Sequence, residues 1–147
     1  MLKNIKIISP QTLIEFEKYY YFRWYYLRKD LKKKKGTEKD ELEKESIHKM
    51  VIDDNNQVLG VGRIHQVSDI ESQIRFFAIH HKYRRKGLGF LLMNDLETTA
   101  KNNNSKIIIL NARINAVDFY KNLNYEVIEK TNLLFGVIQH FKMKKVL

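Results

Sequence analysis

Arg84-Arg85-Lys86-Gly87-Leu88-Gly89 stands between a strand-like run, residues 72–79, and a helical run in which Leu88, Leu91, Leu92, Leu96 and Ala100 recur at steps of three or four. A strand that turns through glycines into a helix brings successive backbone N–H groups and the positive helix end to one place, which suits an anion. Glycine also removes the Cβ atoms that would block close approach. The same residues read equally as a basic turn whose glycines merely end a loop. Two phosphate motifs are excluded, because no Gly-Lys-Ser/Thr ending follows and Leu92 takes the place of the third glycine in Gly-x-Gly-x-x-Gly.

Outward from this turn, strand and helix signals alternate. On the amino-terminal side, residues 4–8 read as a strand, and Ser9-Pro10 as a helix start. Leu13, Phe16, Tyr20, Trp24, Leu27 and Leu31 then mark the expected core face of that helix. Residues 48–53 and 57–65 form a hairpin around Asp54-Asn55-Asn56. On the carboxy-terminal side, Ile107–Leu110 is an apolar run of a strand covered on both faces, and Asn115 caps a short helix to Asn122. Residues 125–130 and 133–144 read as two last strands joined by Thr131-Asn132. The order β–α–(α)–β–β–β–α–β–α–β–β predicts a mixed sheet flanked by helices, of α/β or α+β class.

The chain's 147 residues suit one domain, 1–147, with 44% apolar and 30% charged residues and no apolar run long enough to span a membrane. The absence of cysteine excludes a disulfide framework, a thiolate nucleophile and cysteine metal sites, and a cytoplasmic location is the expectation. The net charge of +10 favours anionic partners in general, but 20 of the 27 basic residues are Lys in a chain also rich in Asn and Ile. Low-GC codon usage produces that composition without selection for binding. Residues 32–45 are almost wholly charged and read as an exposed connection. Their acidic part, Glu38 to Glu45, opposes the sign of the whole chain and offers an alternative role, attraction of a cationic substrate.

Arg84, Gly87 and Gly89 fill the pattern Arg/Gln-x-x-Gly-x-Gly/Ala, with Arg75-Phe76-Phe77-Ala78-Ile79 before it and Asn111-Ala112-Arg113 and Ala116–Tyr125 after it. In these the chain resembles the GNAT superfamily of acyl-CoA-dependent N-acetyltransferases. Val61-Gly62-Arg63, Leu110–Arg113, Phe119-Tyr120 and Gly136–Lys145 look like the small bacterial ElaA-like branch. One departure is His81, where a proline often precedes the motif.

The resemblance implies a mostly antiparallel sheet of six to seven strands whose fourth and fifth strands, 72–79 and 106–112, splay to admit acetyl-CoA. It assigns the pantetheine arm to the backbone of Phe77, Ala78 and Ile79. The pyrophosphate falls to the motif of Arg84, with amides of Arg85, Lys86, Gly87, Leu88, Gly89 and Phe90, and a further cofactor contact to Asn115. It implies acetyl transfer to a primary amine of a small molecule or protein, with a non-catalytic acyl-CoA-binding regulatory module as the alternative. Nucleic acid, membrane and metal are not expected, and a homodimer stays open because many relatives are dimers.

Such transfer needs a neutral amine, although a free alkyl amine has a pKa of roughly 10, and so calls for a base. His140 is the candidate base, or else an ordinary structural histidine, with Glu71 and Glu15 as weaker candidates. Tyr120 matches the family's proposed general acid, or else packs its helix on the sheet. Asn111 and Arg113 orient substrate or water, or simply close the central strand in polar residues.

Overall fold

The computed structural model describes residues 4–147. Its strands are β1 (Lys6–Ile8), β2 (Ile47–Ile52), β3 (Val58–Gln66), β4 (Glu71–Ile79), β5 (Ile107–Arg113), β6 (Glu126–Leu134) and β7 (Ile138–Val146). They form one seven-stranded sheet in the order β1-β2-β3-β4-β5-β7-β6, antiparallel throughout except where β4 meets β5. Three α-helices accompany it, α1 (Leu13–Leu27), α2 (Leu88–Asn102) and α3 (Val117–Lys121). The mixed, mostly antiparallel architecture expected from the sequence is the one observed. Among the described residues no helix is long and apolar enough to cross a membrane.

Alternation along the strands divides the core between two faces. Val51 and Leu59 belong to the cluster built on Leu88, Leu92, Met93 and Leu96 of α2, whereas Met50, Ile52, Val58 and Val61 pack with Tyr19 and Phe22 of α1. Helix α2 approaches the sheet closely because β3 carries glycine beneath it. A Cβ at Gly62 would stand 2.8 Å from Leu96 Cδ1 and 3.3 Å from the Phe77 ring.

Three expectations change. Helix α1 starts after Thr12, not at Ser9-Pro10, because Thr12 Oγ1 accepts from the Glu15 N–H while the Glu15 carboxylate accepts from the Thr12 and Gln11 N–H groups. That reciprocal cap satisfies orphan donors that Ser9 leaves unmet. The buried face of α1 is Tyr19, Phe22 and Arg23, and Leu13 is 75% exposed. Aromatics on neighbouring faces of this helix make its period ambiguous, and the stripe through Tyr20 and Trp24 is only half-buried. Thr131-Asn132 lies inside β6, where a register irregularity between Lys130 and Leu133 accommodates it. The chain instead reverses at Phe135-Gly136-Val137, with Phe135 and Gly136 at φ values of 50° and 69°.

Candidate active site

Strands β4 and β5 are hydrogen-bonded neighbours only from Glu71 opposite Ile107 to Ile74 opposite Leu110. Past that point β4 follows β3 to the Ile79–Gly60 pair, and β5 follows β7 to the Arg113–His140 pair, so the two strands diverge. The cause is local. Between the Val61–Ala78 and Arg63–Arg75 pairs, β4 sets Phe76 and Phe77 against the single residue Gly62, a bulge that bends a strand away from its neighbour. Phe76 takes φ 53°, a left-handed conformation rare for a bulky side chain. The resulting gap of about 160 Å³ is lined by Phe77, Asn111, Arg113, Tyr120 and His140, together with Arg28 from just beyond α1. Phe77, Ala78 and Ile79 all lie on the diverging part of β4.

From the end of β4 the chain passes through a short 3-10 turn, His81–Tyr83, into the glycine motif and α2. Gly87 takes φ 87° immediately before the helix, and Arg85 takes φ 61°. The N–H groups of Arg85 through Phe90 meet no acceptor among the described residues, which leaves a row of donors at the positive end of a fifteen-residue helix. Two members of the motif act inward. The Arg84 Nε–H donates to the Ile79 carbonyl at 3.2 Å, tying the turn to the strand. A Cβ on Gly89 would stand 3.0 Å from the Phe119 ring, so this glycine lets α2 meet the segment of α3.

Tyr120 is buried beside Phe77, Phe119 and Tyr125, with ring centroids 6.3, 5.0 and 5.9 Å away. Burial raises its phenol above the ordinary value, with Arg113 opposing, so the hydroxyl stays protonated. Its oxygen has no protein partner among the described residues, in contrast to Tyr125, which donates to Glu97 at 2.9 Å. His140 lies across the sheet from Arg113, 8% exposed, with Nδ1 3.1 Å from the Ile138 carbonyl. A carbonyl only accepts, so Nδ1 carries the hydrogen and Nε2 keeps a lone pair in the neutral ring. Burial lowers the imidazole pKa, the Ile138 carbonyl acts against this, and the charges of Arg113, Arg28 and Arg75 lower it further.

Asn111 is exposed on β5, on the same edge of the gap as Arg113. Asn115 is exposed within a 3-10 turn, Ile114–Ala116, and does not cap; α3 starts from Ala116 with no side-chain cap. Glu15 is occupied by the α1 cap, and Glu71 lies at the zipped end of β4, so neither reaches the gap.

The charged segment is exposed along most of its length, as expected, but its acids are not a free patch. Asp40 and Glu43 fold inward onto arginines of α1, β3 and β4. Arg23 Nη1 meets Glu43 at 2.8 Å, Arg63 Nη1 meets Glu43 at 2.7 Å and also Asp40, and Arg75 Nη1 meets Asp40 at 2.6 Å. Arg23 and Arg63 are 0% exposed. Against the opposing effect of its partial burial, Arg63, the Leu42 N–H and Arg75 hold Asp40 well below the usual carboxylate range. The guanidiniums of Arg23, Arg75, Arg63 and Arg28 lie 4.3, 4.5, 5.0 and 5.7 Å from the centre of the Phe76 ring, so the bulged phenylalanine sits inside a cationic cage. None of these four arginines had been assigned a role from the sequence.

Residues 28–147 match the family model described as Acetyltransferase (GNAT) domain. The chain belongs to the GNAT acetyltransferases. It is 34% identical over 106 residues to the uncharacterized N-acetyltransferase YjcF of Bacillus subtilis, which covers 72% of this chain and 74% of that protein. Escherichia coli ElaA superposes with a TM-score of 0.80 at 13% identity, covering 97% of this chain and 98% of the other. A GNAT family acetyltransferase from Elizabethkingia anophelis with acetyl-CoA bound gives 0.75 at 16% identity over 99% and 100% of the two chains. At these identities the two structures speak for the fold.

Proposed function

We propose that this GNAT protein transfers the acetyl group of acetyl-CoA to a primary amine by direct attack. The observation that carries the reading is the divergence of β4 and β5 beside a row of unpartnered amides at the start of α2. These features fit the donor: amides of Arg85–Phe90 for its pyrophosphate, and the open stretch Phe77–Ile79 for an extended pantetheine arm. The Elizabethkingia structure, with acetyl-CoA bound to the same fold, supports that assignment. Bound there, acetyl-CoA supplies an activated thioester carbon.

The chain's own groups do the rest. His140 Nε2 takes the proton from the attacking amine, directly or through a water, as the new N–C bond forms. A backbone N–H of Ala78 or Ile79 faces the negative charge developing on the carbonyl oxygen. Tyr120 gives its proton to the sulfur as the C–S bond breaks, since a thiol of pKa ~8.5 is the leaving group. Holding both reactants in one gap contributes on the order of 7–11 kcal/mol in oriented intramolecular reactions.

The test is release of free CoA thiol from acetyl-CoA across an amine library, with mass spectrometry of the product. Thiol release tied to a mass gain of one acetyl group on an amine is expected. Acetyl-CoA binding with no release for any amine would instead identify an acyl-CoA-binding module.

A further inference from the structure

The chain holds 20 lysines and only seven arginines, yet no arginine lies outside two places. Arg84 and Arg85 are in the turn before α2, while Arg23, Arg28, Arg63, Arg75 and Arg113 surround the gap or the Phe76 cage beside it. Lysine prevails on this surface, so the planar, multiply donating guanidinium is concentrated where substrate is expected.

Within that group the charge does not balance. Asp40 and Glu43 meet Arg23, Arg63 and Arg75. Arg28 and Arg113 have only carbonyl partners: Arg28 donates to Thr37 and Leu27 at 3.1 and 3.0 Å, and Arg113 Nη2 donates to the same Leu27 carbonyl at 2.8 Å. Among the described residues, Arg28 Nη2 and Arg113 Nε and Nη1 have no acceptor, and no carboxylate lines the gap. Burial first, and then the neighbouring charges of Arg113 and Arg75, push Arg28 down to about 10, with the buried Glu38 carboxylate opposing them. A polyamine or amino-sugar entering here would add like charge to a site already strained by it. The space between the strands is about 160 Å³, so the part of the acceptor that reaches these arginines is small.

We infer that the acceptor is a small amine that also carries an anion, a carboxylate or a phosphate, held by Arg28 and Arg113 in the gap between β4 and β5. The inference rests on the acetyl-transfer reading and specifies its substrate class. It replaces the alternative in which Glu38–Glu45 draws in a cation, because the inward acids of that segment already face arginines.

The test compares kcat/KM for matched amines with saturating acetyl-CoA: amino acids against their amides for the carboxylate, and O-phosphoethanolamine against ethanolamine for the phosphate, with spermidine as the cationic arm. The wild type should favour the anionic member of at least one pair by roughly ten- to a hundredfold, the range of one or two charge-assisted hydrogen bonds. In Arg113→Met that ratio should collapse toward one, chiefly through KM. A preference for spermidine, or an unchanged ratio in Arg113→Met, overturns the inference.

Binding of inorganic phosphate and of acetate, followed through the His140 ring resonances with acetyl-CoA present, gives a readout independent of turnover. A wild-type response no stronger than that of Arg113→Met overturns the inference as well. Failure to bind acetyl-CoA, or to release thiol with any amine, counts instead against the enzymatic reading.

Discussion

Replacing Glu43 with alanine tests whether the charged segment is built into the fold. Its carboxylate, 13% exposed, accepts from Arg23 at 2.8 Å, Arg63 at 2.7 Å, the Asp40 N–H at 3.0 Å and the Tyr20 hydroxyl at 3.2 Å. Truncation leaves Arg63 one carboxylate, Asp40, and leaves Arg23 none, although both guanidiniums are 0% exposed. Removing one partner of a buried pair costs about 3–5 kcal/mol, because the other charge stays behind uncompensated. For a domain of this size each kcal/mol lowers the melting midpoint by roughly 2–4 °C, which gives a fall of about 6–20 °C. Glu41, exposed and without an ion pair among the described residues, is the control, and Glu41→Ala should change stability by no more than ~0.5 kcal/mol. Thermal and urea unfolding followed by circular dichroism measure both variants. Equal midpoints for Glu43→Ala and Glu41→Ala would refute the reasoning, and would return the acids of residues 38–45 to solvent as a free field for cations.

Two further predictions concern the chemistry. Tyr120→Phe should lower kcat by roughly 10²–10⁴-fold while acetyl-CoA affinity changes little; single-turnover kinetics alongside calorimetry separate the two effects, and full activity would leave the ring a packing role only. His140 must be neutral to act, and its pKa lies below the ordinary 6.5, so the wild-type kcat/KM should hold down to pH 6.5 and fall as the pH drops through the lowered value. A pH profile of His140→Ala that keeps the same acid limb would remove His140 from the base role.

The fold was legible because its signals are local. The apolar steps of α2, the Asp54–Asn56 turn and the glycine motif each act over a few residues. The gap between β4 and β5 followed from the family pattern, not from periodicity, since a two-for-one bulge at Phe76-Phe77 leaves no mark in residue types. Ser9-Pro10 and Thr12 both suit a helix start, and only the reach of the Glu15 carboxylate decides between them. Arg28, Arg75 and the acids that meet their neighbours were missed for a different reason. Charge runs are read along the chain, whereas Asp40 and Arg75 come together over a sequence separation of 35 residues. One signal was present all the same: seven arginines against 20 lysines, in a composition that favours lysine.

Arg113 stands on the β5 side of the opening, yet its guanidinium grips the Leu27 carbonyl at the end of α1. It therefore ties β5 to α1, the helix that packs on β3 and β4, beside strands β4 and β5 that are stitched together only from Glu71 to Ile74. If Arg113 holds the acceptor as proposed, a reactant that draws its guanidinium from Leu27 would loosen this tie, and recognition of one reactant would then be mechanically joined to the width offered to the other.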